Sequence, residues 1–317
     1  MKVTEHIAQA KDTLISFEIL PPLKGKSIES IYDHLDPLME FKPSYINVTY
    51  HRSEHMFKKR ADGSFDKVEI RKRPGTVGIC AAIMNHYNVD AVPHLICGGF
   101  SKEETENALI DLAFLGVDNV LVLRGDAPKN ETFFEPHPNG HRYAIDLLHQ
   151  VAHMNNGIYL EEELMGGVKT KFCIGVAAYP EKHFEAPNMA SDMKYLQQKV
   201  DAGADYIVTQ MFFDNKKFFD FVAKCREAGI TVPIIPGLKP LTTKKQLTIL
   251  PRTFHVDMPE DLAVEALKCK TDKDVELVGQ EWLIQQSKEL KAAGTPVLHY
   301  YTLGKPHVIC KVIEAIK

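Results

Sequence analysis

The stretch Asp118-Asn119-Val120-Leu121-Val122-Leu123-Arg124-Gly125-Asp126-Ala127-Pro128 is an apolar run that stops at an arginine, a glycine and an aspartate. Val, Leu, Val, Leu without polar alternation predicts a parallel strand buried on both faces, and such strands carry function at their carboxyl ends. Asp126 is therefore a candidate site residue. The competing local reading is an Arg124–Asp126 ion pair closed off by Pro128, and the layout of the rest of the chain decides between the two.

That layout repeats. Apolar strands are predicted at residues 14–20, 45–50, 91–97, 171–178, 206–212, 232–238 and 297–302, besides the opening one. Helical patterns follow each, among them 27–40, a stretch ending near Met84, one starting at the capping box Ser101-Lys102-Glu103-Glu104, 142–154 and 306–316. Eight strand–helix units in 317 residues predict a (β/α)8 TIM barrel. A doubly wound sheet would show a glycine fingerprint after its first strand, where this chain has Pro21-Pro22. One barrel over residues 1–317 is expected, with insertions near 155–167, around Glu161-Glu162-Glu163, and near 259–293.

Composition excludes several classes. At 44% hydrophobic and 25% charged residues, with a formal net charge of -4, the chain lacks the basic excess of a nucleic-acid binder. The run Lys58-Lys59-Arg60, with Lys67, Arg71, Lys72 and Arg73, reads as a solvated helix or loop face. No apolar stretch reaches membrane-spanning length, and Met1-Lys2-Val3-Thr4-Glu5-His6 does not read as a signal peptide. The six scattered cysteines have no metal-ligand spacing and fit buried thiols in a reducing cytoplasm. No metal is expected; small molecules are the expected partners, and self-association into a homo-oligomer is expected.

In a barrel, polar residues at strand carboxyl ends face one mouth. Strand one supplies Glu18, between Phe17 and Ile19; its apolar setting desolvates the carboxylate, which suits a general acid. An inward ion-paired glutamate is the plain alternative. Strand two supplies Thr49 and Tyr50, strand three His94, strand four Arg124, Gly125 and Asp126. Strand five ends in Tyr179-Pro180-Glu181-Lys182-His183, and strand six in Thr209-Gln210-Met211-Phe212-Phe213-Asp214, an amide beside aromatics that suits a flat heterocycle. Strand seven ends Ile235-Pro236-Gly237-Leu238-Lys239-Pro240, and strand eight Tyr300-Tyr301-Thr302-Leu303.

Ser16-Phe17-Glu18-Ile19-Leu20-Pro21-Pro22, Val48-Thr49-Tyr50, Pro93-His94-Leu95, Leu123-Arg124-Gly125-Asp126, Ala178-Tyr179-Pro180-Glu181, Lys199-Val200-Asp201-Ala202-Gly203-Ala204, Thr209-Gln210-Met211-Phe212-Phe213-Asp214 and Tyr301-Thr302-Leu303, in that order, resemble the 5,10-methylenetetrahydrofolate reductase family. The resemblance implies a barrel that holds FAD and reduces methylenetetrahydrofolate to 5-methyltetrahydrofolate with NADH or NADPH, by ping-pong use of one flavin face, for methionine synthesis. Glu18 resembles the family's general acid, and Asp126 the aspartate beside flavin and pterin. Gln210 resembles the substrate-side amide, with Phe212 and Lys305 as further substrate-binding candidates. Thr49, Tyr50, His94, Arg124, Gly125, Tyr143, Ala144, Tyr179, His183, Asp192 and Lys199 resemble flavin-contacting positions, Arg124 and Lys199 being the cations suited to a diphosphate.

The chain also departs from the pattern. His51-Arg52-Ser53-Glu54-His55 stands where many members have a small glycine-rich turn, and Lys305 where an arginine is common in bacterial relatives. No regulatory region responding to S-adenosylmethionine is expected after the eighth helix. Two rival readings are a flavin-free pterin-binding barrel for methyl transfer and a relative that needs a partner to deliver electrons.

Overall fold

The computed structural model describes residues 1–127, 134–161, 163–164, 166–302 and 304–317. Pro128, Glu162, Leu303 and the side chain of His55, on which parts of the sequence reading fall, lie outside the described residues. The chain opens with α1 (Val3–Gln9), β1 (Leu14–Ile19), α2 (Glu29–Met39) and β2 (Tyr45–Val48). Then come β3 (Glu54–Lys59), β4 (Phe65–Ile70), α3 (Thr76–Tyr87), β5 (Asp90–Ile96), α4 (Lys102–Phe114), β6 (Asn119–Leu123) and α5 (Ala144–Asn155). β7 (Cys173–Ala178), α6 (Met189–Asp201), β8 (Tyr206–Met211), α7 (Asn215–Glu227) and β9 (Ile234–Leu238) continue the alternation. α8 (Gln246–Phe254), α9 (Glu260–Lys268) and α10 (Asp272–Ala292) precede β10 (Val297–Tyr301) and α11 (Pro306–Ile316).

Eight parallel strands, β1, β2 and β5 to β10, close into a barrel in which β1 pairs with both β2 and β10. The predicted (β/α)8 TIM barrel is the observed fold. Its strands are apolar on both faces because one face meets the helices and the other the barrel interior. Phe17, Ile46, Val120, Ile174, Ile207 and Leu298 pack outward into the helix layer, whereas Tyr45, Val92, Leu121, Cys173, Tyr206 and Val297 fill the interior. The capping box at Ser101 forms as read: Ser101 Oγ accepts from the Glu104 N–H at 3.1 Å, and Glu104 Oε2 accepts from the Ser101 N–H at 2.8 Å.

Four features differ from the sequence reading or add to it. The basic segment is not a helix or loop face but a two-stranded antiparallel hairpin, β3 with β4. Its residues alternate in type around the Asp62-Gly63 pair, and Gly63 takes φ 88°, the conformation such a turn requires. The helix α1 closes the amino-terminal end of the barrel: Val3 is fully buried in the interior cluster, its N–H donates to Asn119 Oδ1 at 2.8 Å, and His6 Nε2 meets Asp90 Oδ2 at 2.7 Å. The 259–293 region holds α9 and α10, and α10 packs against α7, β10 and α11. The 155–167 segment is stitched to the outer helices by the Leu160 N–H, which donates to the buried Glu106 at 2.8 Å.

Candidate active site

Strand pleating alternates side chains in and out, and on β1 it sends Ser16 and Glu18 into the barrel. Register then sets Glu18 beside Tyr301 of β10 and Asn47 of β2. Glu18 is 8% exposed. Its Oε2 lies 3.4 Å from His94 Nε2 and 3.6 Å from His299 Nε2. His299 is held from behind by Ser16 Oγ, 2.9 Å from its Nδ1, while Asn47 Nδ2 lies 3.4 Å from the same Nε2 that faces Glu18. Burial pushes the His94 imidazole down to about 4, against the upward pull of Glu18, so it faces the carboxyl as a neutral ring at pH 7. Its Nε2 is buried and makes no hydrogen bond among the described residues; the 3.4 Å approach lacks hydrogen-bond alignment. The Glu18 backbone is pinned as well: its carbonyl accepts from Thr302 Oγ1 at 2.8 Å, and that hydroxyl also meets His34 Nε2 at 2.7 Å.

Gln210 extends the inward row of β8 above Tyr206 and Val208. Its Oε1 accepts from the Met211 N–H at 2.9 Å, so the oxygen is held and the amide NH2 is the end presented to a ligand. A bulge between Val208 and Met211 shifts the β8–β9 register there. Across the same wall Tyr301 Oη donates to the Thr209 carbonyl at 2.8 Å. The crossing requires glycine at 237, where a Cβ would stand 2.4 Å from Tyr301 Oη and 2.3 Å from the Thr209 oxygen. Lys305, at the cap of α11, is paired with Glu276 of α10.

The β6–β7 side carries charge of both signs. Arg124 pairs with Glu185 through both carboxylate oxygens, Nη2 to Oε1 at 2.9 Å, and its guanidinium lies 5.1 Å from the Phe134 ring centroid. That pairing replaces the local Arg124–Asp126 pair. Gly125 takes φ 85°, turning the chain over Ile96, and leaves Asp126 exposed, near enough to His51 and Tyr179 for its charge to act on both. The Tyr179 ring stands edge-on to His183, 4.6 Å between centroids, and the His183 N–H donates to Asp192 Oδ2 at 2.8 Å. Lys199 Nζ donates to the Ala177 carbonyl at 2.7 Å, and burial draws its ammonium down to about 8. Tyr143 and Ala144 form the start of α5, Tyr143 exposed.

Not every candidate reaches the mouth. Phe212 is fully buried among the outward-packed residues and stacks on Phe218 of α7 at 5.1 Å, so its ring faces the helix layer. Tyr50 packs on Phe100 at 4.8 Å and lines an outer cleft of about 590 Å³ with Arg71 and Gly75, a cleft that His94 borders from inside. Thr49 is half-buried with Oγ1 3.4 Å from His51 Nε2. The sequence reading gave no place to His299 or Asn47, and it quoted Ser16 and Lys239 within longer motifs without assigning them a role. The alternation Val297-His299-Tyr301 signals an inward histidine on β10, and Lys239 is the continuation of Ile235 and Gly237 on β9.

Sequence comparison matches the methylenetetrahydrofolate reductase family over residues 2–317. The chain is 32% identical over 318 residues to methylenetetrahydrofolate reductase (NADH) 1 of Arabidopsis thaliana, covering 96% of this chain and 49% of that one. It is 30% identical over 307 residues to 5,10-methylenetetrahydrofolate reductase of Salmonella typhimurium, covering 94% of this chain and 90% of the relative. It spans about half the length of the curated plant and yeast relatives it matches. Among solved structures, an uncharacterised Clostridium thermocellum protein that binds two copies of 5-methyl-5,6,7,8-tetrahydrofolic acid superposes with a TM-score of 0.57 at 13% identity, over 99% of this chain and 97% of that one, a likeness of fold. The chain belongs to the methylenetetrahydrofolate reductase family.

Proposed function

We propose that this chain reduces 5,10-methylenetetrahydrofolate to 5-methyltetrahydrofolate, with FAD as bound cofactor and NADH or NADPH as reductant, and supplies methyl groups for methionine synthesis. The observation that carries the reading is a buried glutamate, Glu18, facing a neutral His94 and a braced His299 at the barrel mouth into which Gln210 also projects. Reduction of this substrate needs a proton at the nitrogen released when its five-membered ring opens, so that an iminium forms at the other nitrogen. Glu18 is the group suited to give it, and the amide of Gln210 to bind the edge of a pterin.

The residues present fit a flavin dinucleotide. His94 Nε2 is a buried nitrogen with no hydrogen bond among the described residues, and Arg124 and Lys199 supply cations on the β6–β7 side for a diphosphate. A diphosphate near Lys199 would offset the burial that disfavours its ammonium. When bound, FAD supplies the two-electron relay between nicotinamide and folate. Asp126 is the carboxylate whose charge would oppose the build-up of negative charge on such a ring. The six cysteines are all free thiols, which agrees with action in a reducing cytoplasm, and no helix among the described residues is long and apolar enough to cross a membrane.

The purified chain is expected to be yellow with a flavin spectrum, to bleach under NADH or NADPH without oxygen, and to recover colour when methylenetetrahydrofolate is added. A protein that takes up no FAD sinks the reading. One that binds flavin yet stays oxidised with both nucleotides points instead to a partner that delivers the electrons.

A further inference from the structure

On β9 the side chains sort by parity. Ile235 belongs to the barrel interior, Ile234 and Leu238 to the outward layer, and Gly237 abuts Tyr301 across the interior. Lys239 follows directly after the strand, at its carboxyl end, in the same alternation as Ile235 and Gly237. It is 7% exposed, and among the described residues it makes no hydrogen bond or ion pair. Its neighbour Lys305 has an acceptor in Glu276, and on the β6–β7 side Arg124 has Glu185 and Lys199 the Ala177 carbonyl. Lys305 is close enough to Lys239 for the two charges to repel. Pro236, Leu238, Pro240 and Leu241 surround Lys239 in sequence, so nothing local calls for an ammonium there. Burying an unpaired charge is unfavourable and persists where a ligand completes it.

We propose that Lys239 is a specificity-determining residue that, with Lys305 behind it, receives a carboxylate of the substrate on the β9–β10 side of the mouth. This rests on the proposed folate reading. The folate molecule joins a flat pterin, an aminobenzoyl ring and a glutamate; with the pterin on Gln210 of β8, its acidic end lies within reach of the adjoining strands. Met211, Phe213 and Leu241 belong to one buried apolar cluster that Tyr301 joins at its edge, and the part-buried Tyr301 ring suits the aromatic linker. A phosphate is the less fitting anion, because the ammonium groups of Lys239 and Lys305 satisfy few of its oxygens.

The test is calorimetric binding to the FAD-loaded protein of 5-methyltetrahydrofolate and of 5-methyltetrahydropteroate, the same molecule without its glutamate. The proteins compared are wild type, Lys239→Met and Lys239→Arg. Wild type is expected to favour the folate by about tenfold or more, the scale of one charge-assisted hydrogen bond. Lys239→Met should bring the two ligands within about twofold by weakening the folate alone, and Lys239→Arg should keep part of the preference. Lys239→Met should also unfold at the same or a higher temperature than wild type, because it removes a buried charge. Equal weakening of both ligands would make Lys239 structural and overturn the proposal, as would an unchanged preference. A loss confined to NADPH relative to NADH would assign the site to a phosphate and overturn the carboxylate. Failure of wild type to bind either pterin removes the folate reading itself, an outcome distinct from all of these.

Discussion

Glu18→Gln keeps the shape of the inward row and removes its capacity to donate a proton. If Glu18 acts only when the folate ring opens, reduction of the flavin by the nicotinamide stays within about twofold, while the folate half-reaction falls by about a hundredfold or more. Stopped-flow measurement of the two half-reactions separates the cases, and equal loss in both halves would remove the assignment. His94 supplies a second check, in stability. Its folded value of about 4 lies below the ordinary 6.5, so between those values the unfolded chain takes up a proton that the folded chain refuses. The stability associated with its neutral form is therefore complete above pH 6.5 and is lost as the pH falls toward 4. At about 1.4 kcal/mol per unit the loss reaches about 2 kcal/mol by pH 5. Urea unfolding at pH 7 and pH 5 should show a fall smaller by that amount in His94→Gln than in wild type; parallel falls would mean His94 is accessible to protons in the folded protein. Glu18 and His94 were legible as single residues because each is a polar residue set within an apolar run. His299 was not, since only the register of β1 against β10 brings it within 3.6 Å of Glu18.

Among elements, the wall formed by β8, β9 and β10 depends on close approach. Gly237→Ala would set a methyl group against Tyr301 Oη and the Thr209 carbonyl, one of which is backbone and cannot move cheaply. The variant is expected to lose about 1–3 kcal/mol by overpacking and to release Tyr301 from Thr209. Thermal denaturation checks the first; an unchanged midpoint would mean the bulge between Val208 and Met211 absorbs the methyl. Strands and most helices were readable from periodicity, because both barrel layers demand apolar residues at fixed spacing. Two elements escaped for different reasons. The hairpin β3–β4 carries lysines and an arginine on residues that alternate in type, so charge obscured a strand period that the Asp62-Gly63 turn signals. The helix α1 has only seven residues and one fully buried side chain, too few for a helical pattern to stand out.

For the molecule as a whole, the hairpin pairs with no barrel strand and lies outside the closed sheet. Replacing residues 55–69 with a short glycine-serine turn should leave the barrel folded, with its melting temperature within a few degrees of wild type. Circular dichroism melting tests this; loss of cooperative unfolding would show that the hairpin supports the barrel. The sequence by itself determined the barrel, the strand ends that face its mouth and the family, because apolar runs and short polar termini are local properties of the chain. Which of those polar termini meet was decided only by the tertiary structure. Closure of β1 onto β10 braces Glu18 with His299, pleat parity turns Phe212 toward α7, packing buries Lys239 directly after β9, and the loop after β7 brings Glu185 to Arg124 in place of Asp126. Pairing register and side-chain direction belong to contacts between distant segments, and no single stretch of the sequence contains both partners.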